Sequence, residues 1–436
     1  MKMQARFHWM AVALAALAPA VARAELSATE QRIVAAVKER TPAALQFLEK
    51  VVNVNSGTMN PEGVREAGAL FRAELDALGF RTQWIEMPPE MHRAGHLVAT
   101  HEGTHGKRLL LIGHIDTVFE RTSPVTPWDR RGDRVRGQGV ADMKGGDVIV
   151  LQALHALKAT GELDSARITV VFTGDEERAG EPIEVARAAL VDAAKTSDVA
   201  LAFEGTVKDK DGRDTATVGR RASSGWQLLV TGKPGHSGGV FGESSGYGAI
   251  YEGARILNAF RESLVEPGLT FNPGVVLGGT KIDYDAVSAT GTAFGKINVI
   301  ASGMRVQGDL RYVDYAQRDR AHAKMREIVA ASLPGGRAAI TFHEAYPPMA
   351  PTEGNYKLLR DYSQASEDAG LGPMRALPPD ARGAGDVQFV APYLDSLDGL
   401  GATGRGTHTD NEELEITSIE RGAIRTAIFI HRLTHS

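Results

Sequence analysis

The chain has no cysteine in its 436 residues. Disulfides, thiolate metal ligands and cysteine nucleophiles are therefore excluded, and any bound metal must sit on His, Asp and Glu. Such a donor set favours zinc, manganese or cobalt in oxygen-rich surroundings. Basic residues are not in excess either: 49 Lys and Arg stand against 54 Asp and Glu, for a formal net charge of -5. With no basic run, nucleic acid is not an expected partner. No segment calls for a membrane span, so membrane is not expected as a partner.

What is present begins with a leader pattern. Lys2 and Arg6 precede an apolar stretch from Trp9 to Val21, and Ala22-Arg23-Ala24 matches an A-x-A cleavage site. This predicts a signal peptide over 1–24 and a periplasmic or secreted protein whose mature chain starts near Glu25. The length suits two domains, and 43% hydrophobic content suits ordinary cores. Helical periodicity runs through "EQRIVAAVKERTPAALQFLEKVVNV" and "VREAGALFRAELDALGF". Beyond Gly79 a unit recurs: a short apolar run, a polar tip, then a helix. "RLLLIG" ends at His114, "RITVVFTG" at Asp175-Glu176-Glu177, and "DVALAF" at Glu204. Apolar runs alternating with amphipathic helices predict an α/β fold with a mixed, largely parallel sheet sandwiched by helices. Ligands in such sheets gather beyond the carboxyl ends of the strands, where these polar clusters fall.

From Arg220 the pattern changes to alternating, half-exposed strands with two helical segments between them. A β-α-β-β-α-β order predicts a ferredoxin-like α+β domain over 220–346, inserted into a catalytic domain built from 25–219 and 347–436. The proline-rich "YPPMAP" marks the return.

Two motifs point to chemistry in the wrong local context. His101-Glu102-Gly103-Thr104-His105 fits H-E-x-x-H, but that zinc motif needs a helix. Gly103, Thr104 and Gly106 between apolar runs predict an exposed hairpin tip instead. Gly235-His236-Ser237-Gly238-Gly239 fits G-x-S-x-G, with Asp386 and His408 following in triad order. A nucleophile elbow needs a tight strand-to-helix turn, which Lys233-Pro234-Gly235 and the following glycines prevent. His114-Ile115-Asp116 differs, because it lies directly at the end of a buried-type strand. There His114 can bind metal while Asp116, two residues on, accepts its other ring N–H. The neighbouring strand ends add Asp142, Glu176-Glu177, Glu204 and His408, and clustered buried carboxylates require a compensating cation.

On "GHID", "ADMKGG", "DEE", "FEG" and the C-terminal His of "GTHTD", the whole mature chain resembles the di-zinc exopeptidases and deacylases. That family includes glutamate carboxypeptidase, aminoacylase, acetylornithine deacetylase and succinyl-diaminopimelate desuccinylase. The resemblance implies two zinc ions per chain, replaceable by cobalt or manganese. His114 and Glu204 would hold one, Glu177 and His408 the other, and Asp142 would bridge. It further implies Glu176 as general base, Asp116 behind His114, a cis Asp142-Met143 peptide, and a homodimer formed through the inserted domain. In that dimer His236 would stabilise the oxyanion in the partner's site, and Asn298 would contact substrate.

The "GAGDVQF" and "DGLGATGRGTHTDNEELEI" segments look most like glutamate carboxypeptidase. The implied activity is hydrolysis of the amide before a C-terminal amino acid, on a small peptide or N-acyl amino acid. Tyr346-Pro347 stands where such enzymes tend to carry Arg-Pro, which relaxes the preference for an acidic side chain. Arg311, Arg382 and Arg405 are candidate carboxylate anchors. The alternatives are an N-acyl-amino-acid amidohydrolase and, in a different class, a non-catalytic periplasmic binding protein.

Overall fold

The computed structural model describes residues 25–124, 126–285 and 290–435. The signal peptide expected at 1–24 lies outside the described residues. The run Leu109-Leu110-Leu111-Ile112 occupies the centre of a sheet, and alternate residues of a strand face opposite ways. Leu109 and Leu111 enter one core, shared with the helices Ala28–Val52, Gly145–Thr160 and Thr417–Thr434. Leu110 and Ile112 enter another, shared with Ala188–Lys195 and Val387–Val390. A strand covered on both faces has to be apolar at every position, which is why this run does not alternate.

The sheet has six strands in the order Arg81–Ile85, His96–His101, Ala166–Thr173, His105–His114, Val199–Ala202 and Asp395–Leu397. The first two pairings are antiparallel and the other three parallel. Register aligns the parallel strand ends, with His114 opposite Thr173 and Ile112 opposite Ala202. The polar tips after these strands consequently converge on one edge.

The segment at 101–105 departs from the hairpin expected there. The strands it joins both flank Ala166–Thr173 and do not pair with each other. It crosses the end of that strand, where the N–H groups of Thr104 and His105 donate to the Ser165 carbonyl at 2.9 and 3.1 Å. It is not helical, so its histidines cannot form the H-E-x-x-H site.

Residues 223–346 build a second body around a four-stranded antiparallel sheet, in the order Thr270–Gly279, Gly303–Arg311, Ser223–Gly232 and Gly336–Tyr346. The helices Gly248–Ser263 and Tyr315–Ala330 interleave in the chain, giving the β-α-β-β-α-β order. Its separate core includes Trp226, Phe260, Leu310 and Met325. A hairpin of Lys281–Asp285 and Thr290–Phe294 is added between the second and third strands. The outgoing and returning chains run side by side, paired through a bridge between Arg220 and Met349. Among the described residues no helix is long and apolar enough to cross a membrane.

Candidate metal centre

At the convergent edge, His114 Nε2 lies 3.3 Å from Asp142 Oδ1 and 3.6 Å from Glu204 Oε1. His408 Nε2 lies 3.1 Å from Asp142 Oδ2 and 3.2 Å from Glu177 Oε2. Asp142 thus turns one oxygen towards each histidine. Ligands about 2.0–2.1 Å from a tetrahedral metal stand about 3.3 Å from one another, which is the spacing seen here. Glu176 Oε2 is further off, 4.0 Å from His114 Nε2. At this edge, among the described residues, two donor triples fall within 4.8 Å, His114/Asp142/Glu177 and His114/Glu176/Glu204. His408 is reached through a left-handed backbone (φ 63°), a conformation costing about 1–3 kcal/mol outside glycine. The Asp142–Met143 peptide is cis.

Asp116 fixes His114 from behind. Its Oδ1 lies 3.5 Å from His114 Nδ1 and its own carbonyl 3.1 Å from the same nitrogen. The carboxylate is clamped in turn by the Thr58 hydroxyl (2.6 Å) and the N–H groups of Glu176 (3.0 Å) and Glu177 (3.1 Å). With Nδ1 committed to Asp116, Nε2 is left to face the cluster.

The electrostatics call for a cation. Burial pushes Glu176 well above its ordinary range, with Glu204 and Asp386 adding repulsion against the pull of His114. Burial and the nearby Asp142 raise Glu204 to about 7, and burial also raises Glu177. Burial opposes ionisation of Asp142, but His114 and His408 hold its carboxyl well below the usual carboxylate range. Asp142 and Glu177 lift His408 to about 10. Even with both histidines protonated, two positive charges would face the four carboxylates of Asp142, Glu176, Glu177 and Glu204. His114 Nε2 and Glu177 Oε1 are buried with no aligned hydrogen-bond partner. Divalent metal would satisfy those atoms and leave every carboxylate ionised. The donor set, without sulfur, fits zinc, cobalt or manganese.

Glu412 belongs to none of the motif positions yet serves the same site. Its buried carboxylate accepts the N–H groups of Gly139 (3.0 Å), Ala141 (2.7 Å) and Asp142 (2.9 Å). Burial raises it to about 7 against the pull of those N–H groups. It holds the loop that presents Asp142. Lys144 is buried behind that loop and donates to the carbonyls of Val51 (3.0 Å) and Val54 (2.9 Å).

The cluster floors a cleft of about 430 Å³ whose walls include Arg220, Arg311, Tyr346 and Arg382. Arg220 is committed to Asp398 and to the carbonyls of Gly383 and Ala384. Arg382 donates to the Gly205 carbonyl and approaches Glu204 at 3.6 Å. Arg311 is less engaged: among the described residues its guanidinium pairs with its strand neighbour Asp309. Arg405 lies outside this cleft and pairs with Glu413. The Tyr346 hydroxyl donates to the Glu176 carbonyl at 3.2 Å. His236 and Asn298 are exposed neighbours on the second body, joined through the Ser237 N–H and the Asn298 carbonyl, and neither lines the cleft. No serine triad forms: His408 faces Asp142 and Glu177, while Asp386 pairs with Arg187 and Thr173.

A two-body α/β chain whose sheet edge collects two histidines and four acids around a cleft is built as a metallohydrolase. More narrowly, the chain belongs to peptidase family M20/M25/M40, which it matches over residues 110–432. It is 29% identical over 396 residues to carboxypeptidase G2 of Pseudomonas sp. (strain RS-16), covering 88% of each chain. It is 26% identical over 364 residues to a succinyl-diaminopimelate desuccinylase of Xanthomonas oryzae pv. oryzae, covering 81% of this chain and 89% of the relative. Its fold superposes on the aminopeptidase PepT of Bacillus cereus with a TM-score of 0.70 at 17% identity, over 90% of this chain and 98% of that one. The chain is accordingly a metallopeptidase or amidohydrolase of this family.

Proposed function

We propose that the protein is a two-zinc carboxypeptidase that hydrolyses the amide bond before a C-terminal amino acid carrying a free carboxylate. The observation that carries this reading is Asp142, which offers its two oxygens to two different histidines. His114 and Glu204 would hold one cation, Glu177 and His408 the other, and Asp142 both; cobalt or manganese suits the same donors. When bound, such ions polarise a carbonyl and lower the pKa of water. Glu176, buried beside the donors, takes a proton from the attacking water and passes it to the leaving amine as the C–N bond breaks. Asp116 touches no substrate and acts by orienting His114.

Arg311 and Arg382 on the cleft wall supply positive charge for the substrate carboxylate. Tyr346 offers a neutral wall where an arginine would select an acidic side chain, so the C-terminal residue need not be glutamate. The desuccinylase relatives favour a second reading on the same chemistry, an N-acyl-amino-acid amidohydrolase. His236 and Asn298, exposed beyond their own cleft, fit a homodimer in which the second body delivers them to the partner's site. The leader pattern supports a periplasmic location.

The test is hydrolysis of a panel of N-acyl amino acids and dipeptides, each as free acid and as C-terminal amide. The expected result is cleavage of the acids, with cleavage of the amides at least about tenfold slower, about 1.4 kcal/mol of transition-state stabilisation lost with the carboxylate. Equal cleavage of acid and amide forms would remove the carboxypeptidase reading.

A further inference from the structure

A second group of metal-type donors lies at the opposite end of the sheet. Glu162 follows the helix Gly145–Thr160, just before the strand Ala166–Thr173. His431 and His435 stand one turn apart at the end of the helix Thr417–Thr434. Glu162 Oε2 is 3.2 Å from His431 Nδ1 and 3.2 Å from His435 Nε2. All three donor atoms fall within 4.8 Å of one another. The intervening strand, at about 3.3 Å per residue, puts roughly 25 Å between this group and the cleft.

The tautomers point the same way. His435 Nδ1 faces the His431 carbonyl at 3.0 Å and the Thr434 hydroxyl at 3.1 Å; that hydroxyl donates to the Ile430 carbonyl at 2.8 Å and a carbonyl only accepts, so Nδ1 carries the proton. Nε2 of the neutral ring is then a lone pair that faces the Ser165 hydroxyl at 3.3 Å as well as, at 3.2 Å, the Glu162 carboxylate oxygen. His431 Nδ1 is buried, faces that same oxygen, and has no aligned hydrogen-bond partner. Protonating both rings would set two imidazolium ions together, their centroids 4.4 Å apart. A divalent cation removes both conflicts. Two features assist it: the edges of 3.2 Å match the roughly 3.3 Å of a tetrahedral site, and the carboxyl end of a helix attracts positive charge. Glu162 Oε1 remains turned towards Arg32 at 3.9 Å.

We propose that Glu162, His431 and His435 form a separate site for a divalent transition cation of the zinc class, with a fourth position open to water, which staples the last helix to the start of the strand Ala166–Thr173. The site is independent of the cleft and of the reaction assigned to it.

The experiment is equilibrium dialysis of the full-length protein against micromolar zinc, with metal analysis, for wild type, Glu162→Gln and His431→Ala/His435→Ala. Wild type should bind about one equivalent more than either variant, while the variants keep wild-type hydrolysis. Equal metal content in all three proteins would overturn the site. Loss of hydrolysis along with the metal would overturn its independence. His435→Ala alone alters a side chain that is 32% exposed and guards against failure to fold. Cobalt loading of that variant should lack one of the visible absorption components of wild type, and an identical spectrum would refute the proposal.

Discussion

Replacing Glu412 tests whether a residue that touches neither substrate nor metal sets the position of Asp142. Its carboxylate receives three backbone N–H groups at 2.7–3.0 Å, and the side chain is buried. Removing the acceptor leaves three buried donors, each costing about 1–3 kcal/mol when unsatisfied, although water entering the vacated space recovers part of this. Glu412→Ala should therefore lose about 3–5 kcal/mol of local stabilisation. Glu412→Gln keeps one oxygen, enough for Ala141 and Asp142, which share Oε1, and sacrifices the bond from Gly139 to Oε2. Its loss should be about 1–3 kcal/mol. Since the freed loop carries Asp142, zinc affinity should fall by about 10–100-fold in the alanine variant, and less in the glutamine variant. Competition against a chromogenic chelator reads the affinity, and thermal melting reads the loop. Wild-type zinc affinity and turnover in Glu412→Ala would refute the reasoning. So would a glutamine variant as damaged as the alanine one.

Glu176→Gln should retain the bound metal, because Glu176 lies outside the closest ligand contacts, yet lose about 100–10,000-fold in kcat; metal analysis alongside single-substrate kinetics checks both halves. Arg311→Gln, which removes a cleft charge with few other commitments, should raise KM for free-acid substrates with little change in kcat, as read from Michaelis curves. Leu111→Ala empties a fully buried position at the centre of the sheet and should cost about 2–5 kcal/mol in urea unfolding without changing the metal ligands.

How far these features could be seen in the sequence depended on whether the responsible contacts were local. The run Leu109–Ile112 announces a doubly covered strand by composition alone, and the polar residues after three such runs mark one sheet edge. Structure brings His114, Asp142, Glu177, Glu204 and His408 together there, as the motif positions suggest. Glu412 was hidden because an acid in a charged run looks the same whether it meets water or three N–H groups. Arg220 gave no signal either, since its partner Asp398 is 178 positions away. The strand Thr270–Gly279 was obscured by Pro273-Gly274, where its register shifts at a bulge. Strands Arg81–Ile85 and His96–His101 are short and mixed in composition, and they gain their place only by pairing: His96–His101 adds antiparallel to Ala166–Thr173, and Arg81–Ile85 adds antiparallel to His96–His101. His236 and Asn298 were visible as candidates, but their distance from the cleft of their own chain is a property of the folded arrangement.

The most direct test of the central claim is the hydrolysis rate of an N-acyl amino acid after exhaustive chelation, followed during stepwise return of zinc to wild type and to Asp142→Asn. The account predicts no cleavage by the stripped protein, recovery in wild type as zinc is restored, and no recovery in Asp142→Asn. A stripped protein that cleaves at the original rate would contradict it.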